Sequence, residues 1–322
     1  MRGYPAGARP NRCKRNLTAA TGPCDAAAVS DPSVEQVTAA GRRLEVVVAG
    51  PDDGLTCVFH GGTPSAALPF GPTQDAIVAA GMRYITYSRP GYASSDPDPG
   101  RSVADAAGDV AAILDHLGVD RFVTLGWSGG GPHALACAAL LPERCRAAAT
   151  MAGVAPWDAD GLDWLADQGE ENQAEFAAAL RGEAELTAWL EPVAAHLGAV
   201  TGADVSEALG DLVTDVDRQS LTGEFSEWAA ASFRAAMGTG VAGWRDDDIA
   251  FLAPWGFDLA GITRPVAIWQ GDQDRMVPVA HGRWLAGHVA GATVRLLPGH
   301  GHLSIAVGSI DRIVAELAAS AG

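Results

Sequence analysis

The sequence is 322 residues long and 48% of its residues are hydrophobic, enough for one large domain with a substantial buried core. Its formal net charge of −17 at pH 7 argues against nucleic acid or an anionic membrane as a partner, because both attract basic surfaces. Lys14 is the single lysine, so chemistry that needs a positioned lysine, such as a Schiff base or a P-loop, is excluded as well.

The first 30 residues differ in composition from the rest of the chain. Residues 1–30 are rich in arginine, proline, glycine and alanine and lack the apolar segment of a signal peptide, so we expect a disordered arm. The five cysteines are an odd number without a Cys-x-x-Cys pair, which suits a reducing, cytoplasmic location. No apolar run is long enough for a membrane span. No Gly-x-Gly-x-x-Gly follows the first strand, so a dinucleotide site is not indicated and we expect no cofactor.

Strand-like apolar runs alternate with helical patterns from residue 31 onward, apart from one long interruption. This alternation predicts an α/β fold with a mostly parallel, eight-stranded sheet and helices on both faces. The first two strands are joined at Gly41 and are expected to form an antiparallel hairpin at the sheet edge. The predicted strands are Glu35–Ala39, Leu44–Ala49, Leu55–Phe59, Tyr84–Ser88, Phe122–Gly126, Ala147–Met151, Val266–Gln270 and Thr293–Leu297. The predicted helices are Thr73–Ala80, Ser102–Leu117, Pro132–Leu141, Ala280–Val289 and Ser304–Ala319.

A glycine-rich bend follows the third strand, with the sequence His-Gly-Gly-Thr-Pro at residues 60–64. Such a bend can bring a backbone N–H close to the residues that follow the fifth strand. Thr63, which precedes the proline at the turn, is the favoured donor, and Gly62 is the alternative. His60 is a candidate for the wall of a substrate pocket. A plain strand-to-helix loop is the interpretation without a function.

The fifth strand runs directly into Gly-Trp-Ser-Gly-Gly-Gly at residues 126–131, and a helical Ala/Leu stretch follows. Gly-x-Ser-x-Gly between a strand and a helix is typical of a nucleophile elbow, a tight turn that projects the serine hydroxyl above the sheet. Glycines flank the serine because a β-carbon there would clash with the neighbouring strand or helix. The pattern predicts that Ser128 is a nucleophile, that the N–H of Gly129 stabilises an oxyanion, and that Trp127 lines the pocket.

The alternation stops over residues 155–248. This stretch has no strand-like run, many acidic residues, and apolar residues at helical spacing. It is predicted to be a helical cap inserted into an α/β core formed by residues 31–154 and 249–322. Tryptophans concentrate in or beside it, and Trp157 and Trp164 are candidates for the wall of a substrate pocket, with packing inside the cap as the alternative.

Ser128 needs a general base and an acid that orients this base. The seventh strand runs into Gly-Asp-Gln-Asp at residues 271–274, at the strand end where α/β sheets place functional groups. Asp272 and Asp274 are therefore the candidate acids, and a turn residue that bonds its own backbone is the other interpretation of Asp272.

The eighth strand ends in Pro-Gly-His-Gly-His at residues 298–302, so His300 and His302 compete for the role of base. His302 is favoured because it directly precedes the amphipathic closing helix. Two histidines one residue apart, without a third ligand nearby, do not form a closed metal site, and we expect no metal.

These segments, in this order, resemble the α/β-hydrolase superfamily over nearly the whole chain. The sequence Ser-Arg-Pro-Gly-Tyr-Ala-Ser-Ser at residues 88–95 is similar to a loop of esterases, C–C hydrolases and proline iminopeptidase-like members, with Ala93 where the family usually has glycine. In the family the acid is usually the second aspartate of Gly-Asp-x-Asp, and the histidine usually lies in Gly-His-Leu. The resemblance therefore implies the α/β-hydrolase fold and a triad of Ser128, Asp274 and His302. The bend after the third strand departs by one residue from the family's His-Gly-x-Pro, which leaves the first oxyanion donor open.

The sequence thus predicts a serine hydrolase that cleaves a carboxylic ester, a lactone or a related acyl compound, with a small molecule as its partner. Alternatives on the same triad are a proline iminopeptidase-like amide hydrolase and a C–C bond hydrolase. Typical iminopeptidases have Gly-Gly-Ser-Trp-Gly at the elbow, and the different position of Trp127 counts against the peptidase. A perhydrolase or cofactor-free oxygenase is a further option, and a non-catalytic ligand-binding protein is the alternative of another class. No feature of the sequence predicts an oligomeric state.

Overall fold

The computed structural model describes residues 32–69 and 71–322, and the predicted disordered arm, residues 1–30, lies outside them. The strands are β1 (Ser33–Ala39), β2 (Arg42–Ala49), β3 (Thr56–His60), β4 (Arg83–Tyr87), β5 (Phe122–Trp127), β6 (Cys145–Met151), β7 (Val266–Gly271) and β8 (Thr293–Leu297). They form one sheet in the order β1-β2-β4-β3-β5-β6-β7-β8. In this sheet β2 pairs antiparallel with β1 and β4, and the remaining neighbours are parallel. The predicted mostly parallel, eight-stranded sheet is confirmed.

Helices cover both faces of the sheet. In chain order they are α1 (Pro72–Ala79), α2 (Asp105–His116), α3 (Gly130–Leu140), α4 (Glu170–Arg181), α5 (Glu183–Leu197), α6 (Val205–Ala208), α7 (Asp215–Ser220), α8 (Gly223–Met237), α9 (Ala242–Leu252), α10 (Val279–His288) and α11 (His302–Ala319). Because side chains alternate along a strand, Val46 and Val48 of β2 belong to the core beneath α2 and α3. Val47 and Ala49 belong to the core beneath α1 and α11.

The hairpin at the sheet edge has a two-residue turn. Ala39 pairs with Arg42, and the turn residues Ala40 and Gly41 have φ angles of +48° and +82°. Positive φ at both positions matches the right-handed twist of the flanking strands. The glycine thus supplies a backbone conformation that few other residues adopt.

The helices α4 to α9 lie between β6 and β7, and we call this segment, which the sequence predicts to be a helical cap, the cap. The predicted end of the cap at residue 248 falls inside α9, which ends at Leu252. Within the described part of the chain, no helix has the length and apolar character that crossing a membrane requires.

Helix α3 packs against the sheet at a glycine–glycine contact. A β-carbon built on Gly131 would lie 2.8 Å from the α-carbon of Gly153, which follows β6. This distance is shorter than a van der Waals contact, so the backbone would have to move to admit a methyl group. The helix that follows Ser128 can therefore approach the end of β6 this closely only because residue 131 is a glycine.

We predict that Gly131→Ala lowers the free energy of unfolding by about 1–3 kcal/mol, because the added methyl group overpacks this contact. The matched control is Gly108→Ala in α2, an exposed site where a β-carbon would meet nothing within 4 Å. The control should raise the free energy of unfolding by about 0.5–1 kcal/mol, since alanine loses less backbone entropy on folding. Urea unfolding of both variants measures the difference, and equal effects would contradict the packing argument.

Candidate active site

Ser128 lies in the turn between β5 and α3 with a φ angle of +56°, in the left-handed region that non-glycine residues rarely adopt. Its N–H donates to the carbonyl of Met151 at 2.9 Å, which fixes the turn to the end of β6. A β-carbon on Gly126 would collide with the carbonyl of Gly130, and one on Gly130 would collide with the carbonyl of His60. The flanking glycines are thus required by close backbone approach, and the turn has the strained geometry of a nucleophile elbow.

His302 is the first residue of α11, and its imidazole is held by Asp274. The ring Nδ1 lies 2.9 Å from Asp274 Oδ2, and both side chains are buried. The same oxygen accepts a hydrogen bond from Gln270 Nε2 at 3.0 Å, and Oδ1 accepts from the N–H groups of Met276 at 2.9 Å and Val277 at 2.8 Å. These bonds fix the carboxylate with one oxygen directed at the ring.

This carboxylate changes the proton affinity of the imidazole. Burial alone would lower the pKa of His302, but the Asp274 carboxylate, with a smaller contribution from Asp217, raises this pKa above its ordinary value. The pair therefore favours the imidazolium, the form that a histidine takes after it accepts a proton.

The structure brings Ser128 and His302 to the wall of one cavity. Within the described residues the Ser128 hydroxyl has no hydrogen-bond partner. We therefore infer that Ser128 and His302 act together from the fact that both line the same cavity. Such contacts are often loose without substrate and tighten when it binds. The competing candidates Asp272 and His300 do not line this cavity; Asp272 Oδ1 accepts from the N–H of Gly299 at 2.8 Å, as a turn residue does.

Gly62 lies directly against the serine. A β-carbon built on Gly62 would be 3.3 Å from Ser128 Cβ and 3.7 Å from Ser128 Oγ. Thr63 instead directs its hydroxyl to Asp247 at 2.8 Å, and a β-carbon on Gly129 would lie 3.0 Å from Thr63 Cβ. Gly62 and Thr63 therefore both lie beside the serine turn, and both stay candidates for the N–H donor that would join Gly129 in an oxyanion hole.

A buried ion cluster that the sequence did not reveal holds this bend. Arg89 donates to the carbonyl oxygens of Gly61 at 2.8 Å and Gly62 at 2.7 Å, and it pairs with Asp247 at 2.6 Å. Asp247 also pairs with Arg101 at 2.7 Å. The guanidinium of Arg89 thus binds the carbonyl oxygens of Gly61 and Gly62. Its own charge is balanced by the Asp247 carboxylate from α9.

Asp247 is fully buried, at 0% exposure. Burial alone would raise the pKa of this carboxyl, but the Arg89 and Arg101 guanidinium groups hold the pKa well below its usual range. Asp247 is therefore ionised, and its charge is compensated on two sides. Tyr92 Oη adds a hydrogen bond to Oδ2 at 3.0 Å.

A cavity of about 240 Å³ lies between the core and the cap, beside Ser128. Its walls are largely apolar and aromatic, as in most small-molecule sites. The tryptophans that line it are Trp127, Trp164, Trp189, Trp228 and Trp244. Trp127 also stacks on the ring of His302, with 5.7 Å between the ring centres.

The two remaining pocket candidates lie outside the cavity wall. Trp157 packs edge-on against Trp164, with 5.4 Å between the ring centres. His60 is buried beside the rings of Tyr87 and His133, and burial together with the charge of Arg89 lowers its pKa to about 3. His60 is therefore a neutral packing residue behind the bend.

Two acidic side chains from the cap form a polar part of the cavity wall. Glu175 of α4 and Asp248 of α9 both line the cavity and their carboxyl groups interact, and Trp244 Nε1 donates to Glu175 Oε1 at 2.6 Å. Burial raises the pKa of Glu175 to about 7. Burial and the charge of Glu175 raise the pKa of Asp248 well above its ordinary value. The pair therefore holds at least one proton at neutral pH.

Across residues 32–69 and 71–322, no group of three or more His, Cys, Asp or Glu side chains is placed to hold a metal ion. The described site consists of protein groups suited to nucleophilic and proton-transfer chemistry.

We predict that Asp247→Ala lowers the free energy of unfolding by about 3–5 kcal/mol, because it leaves the buried guanidinium groups of Arg89 and Arg101 without a counter-charge. The control is Asp115→Ala, which removes an exposed ion pair with Arg144 and should cost about 0–1 kcal/mol. Chemical denaturation at pH 7 gives both values. A loss of the same size in the two variants would show that the buried cluster does not stabilise the fold.

We predict that Glu175→Gln makes stability less dependent on pH. Folding raises the pKa of Glu175 from 4.5 to about 7, so the wild type loses stability as the pH rises through this range. Glutamine cannot ionise and still accepts the Trp244 hydrogen bond. Relative to wild type, the free energy of unfolding of the variant should therefore increase by on the order of 1–3 kcal/mol between pH 5 and pH 8.

Thermal unfolding of Glu175→Gln and wild type at both pH values measures this change. Glu185→Gln, at an exposed position of α5, is the control and should run parallel to wild type. A constant difference between Glu175→Gln and wild type would show that Glu175 ionises normally.

Comparison with known proteins identifies the family of the chain. A sequence profile of the α/β-hydrolase fold family matches residues 57–309. The uncharacterised hydrolase YcgS of Bacillus subtilis (strain 168) is 26% identical over 272 residues, which cover 84% of this chain and 92% of that protein. A non-heme haloperoxidase of Rhodococcus erythropolis is 25% identical over 278 residues, which cover 82% of this chain and 91% of that protein.

A solved structure gives the same result for the fold. The esterase RhEst1 from Rhodococcus sp. ECU1013 superposes with a TM-score of 0.62 at 22% identity, over 90% of this chain and 98% of that one. The family profile covers most of the chain, and the strand order and the serine turn fit it. The chain therefore belongs to the α/β-hydrolase fold family and is a hydrolase of that fold.

Proposed function

We propose that this protein is a serine hydrolase that cleaves a carboxylic ester, a lactone or a related small acyl compound through an acyl-enzyme on Ser128. One observation carries the proposal. Ser128, in its strained turn, and His302, oriented by Asp274, lie in the wall of the same cavity. A nucleophile, a base and an orienting acid are the minimum set for acyl transfer.

In the proposed reaction, His302 Nε2 accepts the proton of Ser128 Oγ while this oxygen attacks the substrate carbonyl. Asp274 keeps the proton on Nδ1 and stabilises the imidazolium. The N–H of Gly129 and that of Thr63, or of Gly62 as the alternative, would stabilise the oxyanion, each by about 3–4 kcal/mol. His302 then donates its proton to the leaving group, and water releases the acyl group by the reverse sequence of proton transfers.

The cavity also restricts the substrate. Its aromatic walls favour an apolar group, and its volume of about 240 Å³ suits a small molecule. The carboxyl pair of Glu175 and Asp248 offers hydrogen bonds to a polar substituent on the cap side. We therefore expect a compact substrate with an apolar part and one polar end.

The relative named a haloperoxidase raises a second candidate reaction on the same serine. If hydrogen peroxide replaces water in the second half of the cycle, it attacks the acyl-enzyme and releases a peracid. Ester turnover in hydrogen peroxide, followed by peracid detection, distinguishes this reaction from simple hydrolysis.

We predict that Ser128→Ala lowers kcat for ester hydrolysis by at least about 10³-fold, because no other group can form the acyl-enzyme. A panel of short and long p-nitrophenyl esters, lactones and prolyl amides tests wild type and variant, and it also separates the ester, lactone and amide alternatives. Intact-mass measurement after fluorophosphonate treatment should show one adduct on the wild type and none on the variant.

Ser320→Ala, at the end of α11, is the matched control and should keep full activity and full labelling. Folded wild-type protein that takes no fluorophosphonate at Ser128 would argue against an acyl-enzyme. Undiminished turnover by Ser128→Ala would contradict the proposal directly.

A further inference from the structure

The helix that carries His302 begins without a capping side chain of its own, because the preceding residue is Gly301. The side chain of Asp217, on α7 of the inserted helical segment, fills this role instead. Asp217 Oδ2 accepts a hydrogen bond from the N–H of His302 at 3.0 Å, and Oδ1 accepts from the N–H groups of Leu303 at 2.9 Å and Ser304 at 2.8 Å. Three of the N–H groups that a helix start leaves unpaired are thus satisfied by one side chain of α7.

The local sequence is built for this approach. Asp217 is fully buried, at 0% exposure. A β-carbon on Gly301 would lie 2.6 Å from Asp217 Cγ, so any residue other than glycine would push the carboxylate away. A buried carboxylate at a helix N-terminus is favourable because the helix dipole places partial positive charge there.

We propose that Asp217 is a positioning residue for the catalytic base. Through Asp217, the cap fixes the start of α11 and with it the position of His302 relative to Ser128. This inference rests on the proposed function, in which His302 accepts the serine proton. Asp217 touches the backbone of His302, so it acts through the histidine. The cap therefore contributes to the geometry of the reacting groups as well as to the cavity wall.

The charges around His302 give the proposal a second consequence. Asp274, on the loop after β7, and Asp217, on α7, are the charged side chains that act on the imidazole among the described residues, and both raise its pKa while burial opposes them. The neighbouring ring of Trp127 carries no charge. Removal of the Asp217 charge should therefore lower the pKa of His302 and move the acid limb of kcat/KM to lower pH.

The test uses the full chain with Asp217→Ala, Asp217→Asn and the control Asp215→Asn. Asp215 lies on the same helix with 97% of its side chain exposed. We expect Asp217→Ala to lower kcat by about 10- to 100-fold with little change in KM, as a misplaced reacting group does. Asp217→Asn keeps the size and one acceptor oxygen, so it should lose less activity, and Asp215→Asn should behave as wild type.

A readout that needs no activity accompanies the kinetics. The His302 imidazole can be titrated by NMR in protein with ¹⁵N-labelled histidine, with His302→Gln to assign its signals. Both Asp217 variants should titrate at lower pH than wild type. If Asp217→Ala does not fold, Asp217→Asn and its titration decide the matter.

The outcomes separate the two proposals. A wild type that turns over esters, together with a folded Asp217→Asn that keeps the wild-type kcat, pH profile and His302 titration, would overturn the inference. A loss confined to KM would also overturn it, because that would place Asp217 in substrate binding. If the wild type neither labels at Ser128 nor cleaves any ester, the proposed function fails, and the titration still reports whether Asp217 acts on His302.

Discussion

Three buried carboxylates hold the loops of the candidate site, and each bonds a group that belongs to that site or supports it. Asp274 bonds the imidazole of His302, Asp217 bonds the backbone at the start of its helix, and Asp247 balances Arg89, which holds the glycine bend. A buried charge without partners costs several kcal/mol, so displacing any of these loops would leave a carboxylate or guanidinium unpaired. The free energy that folds the chain is thereby linked to the geometry of the site. Preorganisation of this kind is what an acyl-transfer site needs, because its donors must already be in place when charge develops.

Two of these carboxylates, Asp217 on α7 and Asp247 on α9, come from the cap. The cap is therefore joined to the loops of the candidate site by ion pairs and hydrogen bonds, in addition to apolar packing. A cap that moved as a free lid would strip Asp217 from α11 and Asp247 from Arg89 on each opening. Substrate entry by a small opening of the cavity wall, with α7 and α9 left in place, conflicts least with these contacts.

The sequence predicted those parts of the fold whose signals are local. Each of the eight strands lies within a few residues of its predicted position, because apolar periodicity and the following turn residues are read directly from neighbouring positions. Helix α2 begins at Asp105, three residues later than expected, because Asp105 Oδ2 accepts from the N–H and the hydroxyl of Ser102 and holds that residue in a turn. The pairing of Asp274 with His302 agrees with the preference that the family pattern gave.

What the sequence did not supply depends on contacts between distant segments. Asp247 stands in a run of three aspartates, and nothing local distinguishes it from its neighbours until Arg89 and Arg101 converge on it. The choice between Gly62 and Thr63 depends on which of them faces Ser128, a relation between two separate loops. The motif around His302 pointed to the histidine, yet it carried no sign of Asp217, because the capping side chain comes from another element.

Asp247 and Asp248 show how adjacent residues of one helix reach opposite solutions to burial. Asp247 stays ionised because two arginines surround it, whereas burial and the neighbouring Glu175 carboxyl raise the pKa of Asp248. The ion pairs of Asp247 with Arg89 and Arg101 join α9 to the loops after β4. The pairing of Asp248 with Glu175 opposes folding at neutral pH, because two carboxyl groups in contact must share a proton that both would release in water. The Glu175–Asp248 pair therefore does not stabilise the fold at neutral pH. Because both side chains lie on the cavity wall, we expect them to contact a bound ligand. A ligand that carries positive charge beside these carboxyl groups would stabilise their ionised form.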